Sequence, residues 1–299
     1  MHASLNRFKF PKPAGAATDY TWNGRQFADR GGNTSDVLCY TQAQSNWSDD
    51  LTSMHEQEAG SHHPIDIASR QLAIETISAH FPTGEPVVLE VGCSSGFLLE
   101  DLSRQLPRAA IIGADYIASP LRNLAGRLKE VPLLQFDLRC CPLPNACVDA
   151  VVCLNVLEHI DDHAAAMAHI YRILKPGGIA HVEVPAGPRL YDVYDELLMH
   201  HRRYRMSGLS KLTAQAGFQT VRSTHLGCSV FPMFALKKLW NRRALRLPPA
   251  EKKRLVTAQI RGTADSGMLR TLLGLETTLG RHVRFPFGIR CVTVVRKPA

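Results

Sequence analysis

The sequence predicts an α/β protein built on a doubly wound, seven-stranded, mostly parallel sheet with a helical insertion before the last strand. Three observations carry this expectation. From about residue 86 to residue 295, short apolar runs alternate with stretches of helical period. The runs are nearly continuous rather than alternating, as in Val87-Val-Leu-Glu-Val91, which is the pattern of a strand covered on both faces. Finally, 299 residues with 45% apolar content suffice for one large α/β domain with additions, or for two smaller domains.

The elements follow in order. Residues 1–63 lack periodicity and are rich in Gly, Ser, Asn and Asp, so they read as a loose arm with a few short helices, in which Tyr20, Trp22 and Trp47 are candidate lid or anchor residues. Pro64 suits the first turn of a helix over 64–81. Residues 86–92 form the first strand, and Leu98, Leu99, Leu102 and Leu106 share one face of the next helix. The second strand covers 109–114. Ser119-Pro120 supplies a cap and first turn for a helix carrying Leu121, Leu124 and Leu128. Strands at 133–136 and 150–154 come next, and Asp161 can cap a helix stopped at Lys175-Pro-Gly-Gly178. A fifth strand covers 179–184, a helix 207–216, a sixth strand 218–224, and the last strand 289–295. The long stretch between the last two, 226–288, is too long for a bare loop and reads as a helical insertion in a domain spanning 64–299.

Charge is distributed unevenly. The net charge is +8, but from residue 200 onward 20 Lys and Arg stand against three acids, while residues 1–199 hold the other 15 against 24. An acidic body with a basic final third points to an anionic partner. The eight cysteines include no CxxC pair, so neither a disulfide framework nor a metal site is expected. The apolar stretch 226–236 is too short to span a bilayer, and the first residues lack the apolar core of a secretory leader, so a cytoplasmic protein is expected.

In open α/β sheets, ligands bind at the carboxyl ends of the strands. The first strand leads into Glu90-Val-Gly-Cys-Ser-Ser-Gly96, where Gly92 and Gly96 allow tight turns and bring backbone amides to a helix N-terminus. Asp115 ends the second strand, where a carboxylate can accept both hydroxyls of a ribose. Asp137 ends the third, placed to accept from an adenine amine, with the Leu138 amide beside it. A dinucleotide would want a third glycine where Phe97 stands, and Glu90 would repel a pyrophosphate; it suits a cationic ligand instead.

The runs VVLEVGCSSG (87–96), GADYIASPL (113–121), FDLRCCPLP (136–144), VVCLNVLEHI (151–160) and RILKPGG (172–178) resemble the class I S-adenosylmethionine-dependent methyltransferases. The resemblance implies a Rossmann-like sheet and S-adenosyl-L-methionine as cofactor. It assigns Glu90, Gly92, Cys93, Ser94 and Gly96 to the methionine half, Asp115 and Tyr116 to the ribose and adenine, Asp137 and Leu138 to the adenine edge, and Asn155 and Val156 to the floor beneath the sulfonium. Tyr20 is added as a lid over the cofactor. Ser94 stands where the family usually has Gly, and a serine is expected to keep the turn at negative φ. A finer likeness covers Asp195-Glu-Leu-Leu-Met-His-His-Arg-Arg-Tyr204, similar to a bacterial subgroup in which Gly stands where this chain has Met199.

Methyl transfer from a sulfonium is an in-line displacement that needs alignment, and a base only where the acceptor must lose a proton. His159, His200 and His201 are the candidate bases, and Arg202, Arg203 and Tyr204 the candidate substrate contacts. The resulting expectation is a metal-independent methyltransferase acting on O, N or C of a small, anionic or lipid-linked acceptor. A catalytically inactive cofactor-binding partner subunit and a nicotinamide-dependent dehydrogenase are the alternatives. Residues 230–246 mix large apolar and basic side chains, which suits peripheral contact with an anionic membrane, a cap over the site or a homodimer interface. Nucleic acid is not an expected partner, since no RNA-binding module is present.

Overall fold

The computed structural model describes residues 5, 8–41, 62–264 and 266–299; Trp47 and any helices of the arm within 42–61 lie outside them. Apart from Leu5, which is helical, the regular structure in the described part of the arm is strand. Strands β1 (Tyr20–Trp22), β2 (Phe27–Asp29) and β3 (Thr34–Ser35) make a small antiparallel sheet, and β4 (Val37–Cys39) continues into the main sheet. Phe8, Phe10, Trp22, Phe27 and Leu38 are buried in the main core, with the rings of Phe10 and Trp22 5.0 and 4.8 Å from that of Phe27. Trp22 is therefore an anchor.

Helix α1 (Pro64–His80) starts with its proline in the first turn. The alternation then runs β5 (Val87–Val91), α2 (Phe97–Gln105), β6 (Ala110–Asp115), α3 (Ala118–Arg127), β7 (Leu133–Gln135), β8 (Val148–Leu154), α4 (His163–Ile173) and β9 (Leu174–Pro185). Next come α5 (Val193–Leu197), α6 (Met206–Gln215), β10 (Gln219–Leu226), α7 (Phe231–Asn241), α8 (Pro249–Ala264), α9 (Gly267–Gly280) and β11 (Arg290–Arg296). The main sheet has the order β10-β11-β9-β8-β5-β6-β7-β4. The seven expected strands all form, and β4 adds an eighth, parallel to β7. Only β11 runs against its neighbours, β9 and β10.

Alternate residues of β5 feed two cores. Leu89 and Val91 pack toward the arm, α4 and α6, while Val88 packs toward α1, α2 and α3. Both faces being covered, all five residues of β5 are buried. Two caps differ from expectation. Asp162 rather than Asp161 caps α4 by accepting from the Ala165 amide, and α3 begins at Ala118 with no side-chain cap, one residue before Ser119.

The insertion is helical. Leu273 of α9 packs with Ile65 and Ala68 of α1 and with Leu226, Val230 and Val292, while Val256 and Ile260 of α8 pack on Val193 of α5. The buried Glu276 carboxylate accepts from the amides of Gly227, Cys228 and Ser229 and so fixes the turn leading into α7. Among the described residues no helix is long and apolar enough to cross a membrane, and all eight cysteines are free.

Candidate active site

The loop leaving β5 is shaped by two glycines at positive φ. Gly92 (φ 79°) and Gly96 (φ 78°) occupy the left-handed region. A Cβ on Gly92 would run into Val156 Cγ2, and one on Gly96 into the Leu124 side chain. Val156 thus lies directly against the glycine turn. Cys93 is buried. Ser94 departs from expectation: its φ is +45°, so the turn survives with a serine in the region glycine prefers. Its amide donates to Asp115 Oδ2 at 2.8 Å, and Asp115 Oδ1 accepts from the Ile117 amide at 2.9 Å. These bonds lock the exits of β5 and β6 together beside Tyr116, whose carbonyl accepts from the Gln135 amide group.

Glu90 is buried, and among the described residues its Oε2 has no hydrogen-bond partner. Burial, with the nearby Asp115 charge adding to it, pushes its carboxyl well above the ordinary carboxylate range. Asp137 is occupied differently from the expectation. Burial would raise its carboxyl, but the Arg139 guanidinium and amide bind both its oxygens and hold it below the usual value. An adenine amine would have to share those oxygens with Arg139. Leu138 is buried, and Thr41 Oγ1 lies 3.4 Å from the Asp137 amide, so the arm runs along this edge. Tyr20 sits in β1 opposite Asp29 and packs against the core.

A second group of side chains gathers where β8 and β9 end. The turn Leu157–His159 carries Glu158, buried, with neither oxygen hydrogen-bonded among the described residues; burial pushes its carboxyl up to about 8. The His159 and His200 rings meet edge to face, 4.6 Å between centroids. Ligand-type atoms of Glu158, His159 and His200 all lie within 4.8 Å of one another. His200 is buried, and its Nδ1 lies 2.8 Å from Asp195 Oδ1. Burial would raise the Asp195 carboxyl, but His200, Lys238 and Arg203 outweigh that and hold it far below the carboxylate range. A charged carboxylate only accepts, so the His200 proton belongs on Nδ1 and Nε2 is the free lone pair. Burial lowers the imidazole below its usual value against the pull of Asp195, which keeps it neutral near pH 7.

The remaining sequence candidates hold this group in place. Arg203 is buried and donates to Asp195 Oδ1 and to the Ala186 carbonyl, 2.8 Å each. Tyr204 donates to the Leu157 carbonyl and meets His163 Nδ1 at 2.8 Å, pinning the Leu157–His159 turn. Arg202 donates to the Asp161 carbonyl. The His201 side chain is exposed, and its amide donates to the Glu158 carbonyl. Met199 has φ +55°, the conformation for which the subgroup's glycine is suited.

Lys238 was the unforeseen member. Counted with the exposed basic face of the insertion, it instead turns inward from α7. Its Nζ donates to Asp192 Oδ1 at 2.7 Å and Asp195 Oδ2 at 3.0 Å, all three groups being nearly inaccessible. Asp192 and Asp195 also form a capping box at the start of α5. The sequence signal was present in that pair of acids beside a histidine, but nothing local told which lysine would reach them.

The fold is a doubly wound sheet with a glycine turn at the exit of β5 and an acid, Asp115, at the exit of β6. Residues 89–182 match the family described as "Methyltransferase domain". A probable S-adenosylmethionine-dependent methyltransferase of Mycolicibacterium smegmatis is 33% identical over 44% of this chain and 51% of its own length; the chain spans about half the length of the curated relatives it matches. Among solved structures, a putative sarcosine dimethylglycine methyltransferase from Galdieria sulphuraria is similar at TM-score 0.56 and 15% identity, covering 84% of this chain and 99% of that one. Haemonchus contortus phosphoethanolamine N-methyltransferase 2, in complex with S-adenosyl-L-methionine, is similar at TM-score 0.54 and 16% identity, covering 86% and 59%. Residues 89–182 thus match a methyltransferase domain, and the chain shares the fold of these S-adenosylmethionine-dependent methyltransferases. The residues present fit a cationic cofactor: a buried, unpartnered Glu90 oxygen is what a sulfonium amino acid would complete, and side-chain-free Gly92 and Gly96 leave backbone for it to approach.

Proposed function

We propose that this chain transfers the sulfonium methyl of S-adenosylmethionine to a nucleophilic oxygen of a small acceptor. The observation that carries the choice of oxygen is the buried Asp195–His200 pair, close to the loop that covers Gly92. When bound, the cofactor supplies an electrophilic methyl group on sulfur. Glu90, the 92–96 backbone and Asp115 would hold it, with Tyr116 and Leu138 flanking the adenine and Asn155 and Val156 beneath the reacting sulfur. His200 Nε2 takes the proton of the acceptor hydroxyl as the oxygen–carbon bond forms and the carbon–sulfur bond breaks, leaving S-adenosylhomocysteine and a methyl ether or ester. Asp195 stabilises the imidazolium so formed, and Arg203 and Lys238 keep Asp195 ionised and in position.

The acceptor class is read from the insertion. Met233, Leu236, Leu239 and Trp240 are exposed along α7, and Arg243 stacks on Trp240 at 4.5 Å. Large apolar groups beside Lys237, Arg242 and Arg246 favour an acceptor with an anionic or lipid-linked part, met at an anionic membrane surface.

Calorimetry with S-adenosylmethionine and S-adenosylhomocysteine tests the cofactor: no heat with either would sink the proposal. A metabolite-extract screen for products heavier by one methylene identifies the acceptor. His200→Ala should then lose turnover with intact cofactor affinity, and normal turnover would end the base role. The protein should float with vesicles containing anionic lipid at low salt and not with neutral ones, an effect lost in Trp240→Glu. A dimer that persists and no flotation would assign the face to self-association instead.

A further inference from the structure

We propose that Glu158, His159 and His200 bind a divalent first-row transition-metal ion. The three come from two separate segments, the turn after β8 and the loop between α5 and α6, yet one ligand-type atom of each lies within 4.8 Å of the others. Two imidazoles and one carboxylate are the donor set of borderline cations such as Zn(II), Fe(II), Co(II) and Mn(II), rather than of Mg(II) or Ca(II), which prefer oxygen alone. Around an ion with bonds of about 2.1 Å, neighbouring ligand atoms stand about 3–3.5 Å apart, so closure takes side-chain rotations of about an ångström.

Two further observations favour an ion here. Glu158 is 1% exposed and both of its oxygens lack a hydrogen bond among the described residues. A carboxylate in that setting is costly unless a cation meets it. His200 carries the partner that ligating histidines carry: Asp195 accepts from Nδ1, fixing the ring and leaving Nε2 for the ion. Asp195 is itself held by Arg203 and Lys238, so the support continues outward to α7. Lys238 is thereby engaged with both Asp192 and Asp195.

The ion would sit in the region assigned above to the acceptor, and its role there rests on that assignment. The ion replaces the base role given above to His200: with it bound, Nε2 is a ligand, and a hydroxyl coordinated to the metal loses its proton to solvent because the cation lowers its pKa. Oxygen acceptors able to chelate, such as neighbouring diols or hydroxy acids, are then preferred. Metal binding itself requires neither cofactor nor acceptor, so it can be tested alone.

The experiment uses the full chain stripped with a chelator and titrated with Co(II), followed by calorimetry and by visible d–d absorption, then repeated with Zn(II) in competition. One Co(II) per chain is expected, with a spectrum of nitrogen and oxygen ligation. Affinity should fall at least tenfold in Glu158→Gln and His200→Gln, and about tenfold in Asp195→Asn through the lost support of His200. Circular dichroism checks the fold of each variant; should Glu158→Gln fail to fold, His159→Asn replaces it. No stoichiometric binding, binding unchanged in these variants, or sulfur-to-metal charge-transfer bands from thiols elsewhere would each overturn the proposal. S-adenosylhomocysteine affinity in the stripped wild-type chain scores the cofactor assignment separately.

Discussion

Replacing Lys238 by methionine should destabilise the protein although Lys238 lies in the insertion, outside the sheet. Its ammonium bridges Asp192 and Asp195, both inaccessible to solvent. Deleting one partner of a buried ion pair costs about 3–5 kcal/mol, because the charge left behind cannot be rehydrated. Asp195 keeps Arg203 and His200, and Asp192 keeps the Asn241 side chain and the Tyr194 amide, so the lower end applies. A loss of about 3 kcal/mol corresponds to a Tm lower by about 6–10 °C for a domain of this size. Urea unfolding and calorimetric melts would measure it. The double variant with Asp192→Asn removes the orphaned charge and should recover part of the loss, giving a coupling energy of about 1–3 kcal/mol. A Lys238→Met protein within 0.5 kcal/mol of wild type, or strictly additive single effects, would refute the ion-pair argument; about 0.5 kcal/mol is what a surface substitution gives.

His181 gives a pH-dependent test. It is fully buried in β9, bonded to Thr76 Oγ1 at 3.0 Å, and burial pulls it down to about 3. The unfolded chain binds its proton near pH 6.5 while the folded one does not, so stability is full above 6.5 and falls as pH drops below it. Between pH 7 and pH 5 this group alone should remove about 2 kcal/mol; His181→Gln should show a shallower acid loss in urea titrations, and identical profiles would exonerate His181. Met199→Gly should raise stability by about 1 kcal/mol by relieving a left-handed φ, and a lower Tm would show that the Met199 side chain contributes more than its backbone costs. Gly92→Ala should weaken S-adenosylhomocysteine binding at least tenfold by driving Val156 away, as should Asp115→Ala by freeing the Ser94 amide; calorimetry showing wild-type affinity in either would remove that residue from the cofactor site.

The sheet was legible because strands buried on both faces write themselves as unbroken apolar runs, and the helix between them carries its leucines at helical spacing. The arm was not. Strands of two or three residues such as β1–β4 are too short to have a period, and Phe10, Trp22 and Phe27 join the core by long-range packing that no local window contains. Ser94 was expected at negative φ because serine avoids the left-handed region; the bond from its amide to Asp115 helps hold it at +45°. Asp161 and Asp162 are equivalent capping residues by type, and Asp161 is taken by Arg139, leaving the cap to its neighbour. Near the histidines the residue types were visible but the partners were not. Helical periodicity assigns lysines to the outside, and only the meeting of α7 with α5 turns Lys238 inward.

The placement of strand β11 bears on the order in which the sheet can assemble. It is the antiparallel strand that joins β9 to β10, and three helices separate it from β10 in the chain. Until it is made, β10 has no neighbour to pair with and β9 presents an open edge of unpaired backbone N–H and C=O groups. Such a sequence-distant closure is slow, and the half-built sheet is the state most exposed to pairing with another chain. Arg290, at the start of β11, carries the ion pairs to Glu183 and Asp66 that tie β9 to α1. During synthesis the Gly92–Gly96 loop and its strands can assemble early, but the edge of the sheet beyond β9 stays unfinished until this strand emerges. Refolding should therefore show an early phase that gains cofactor affinity and a later one that completes the far edge.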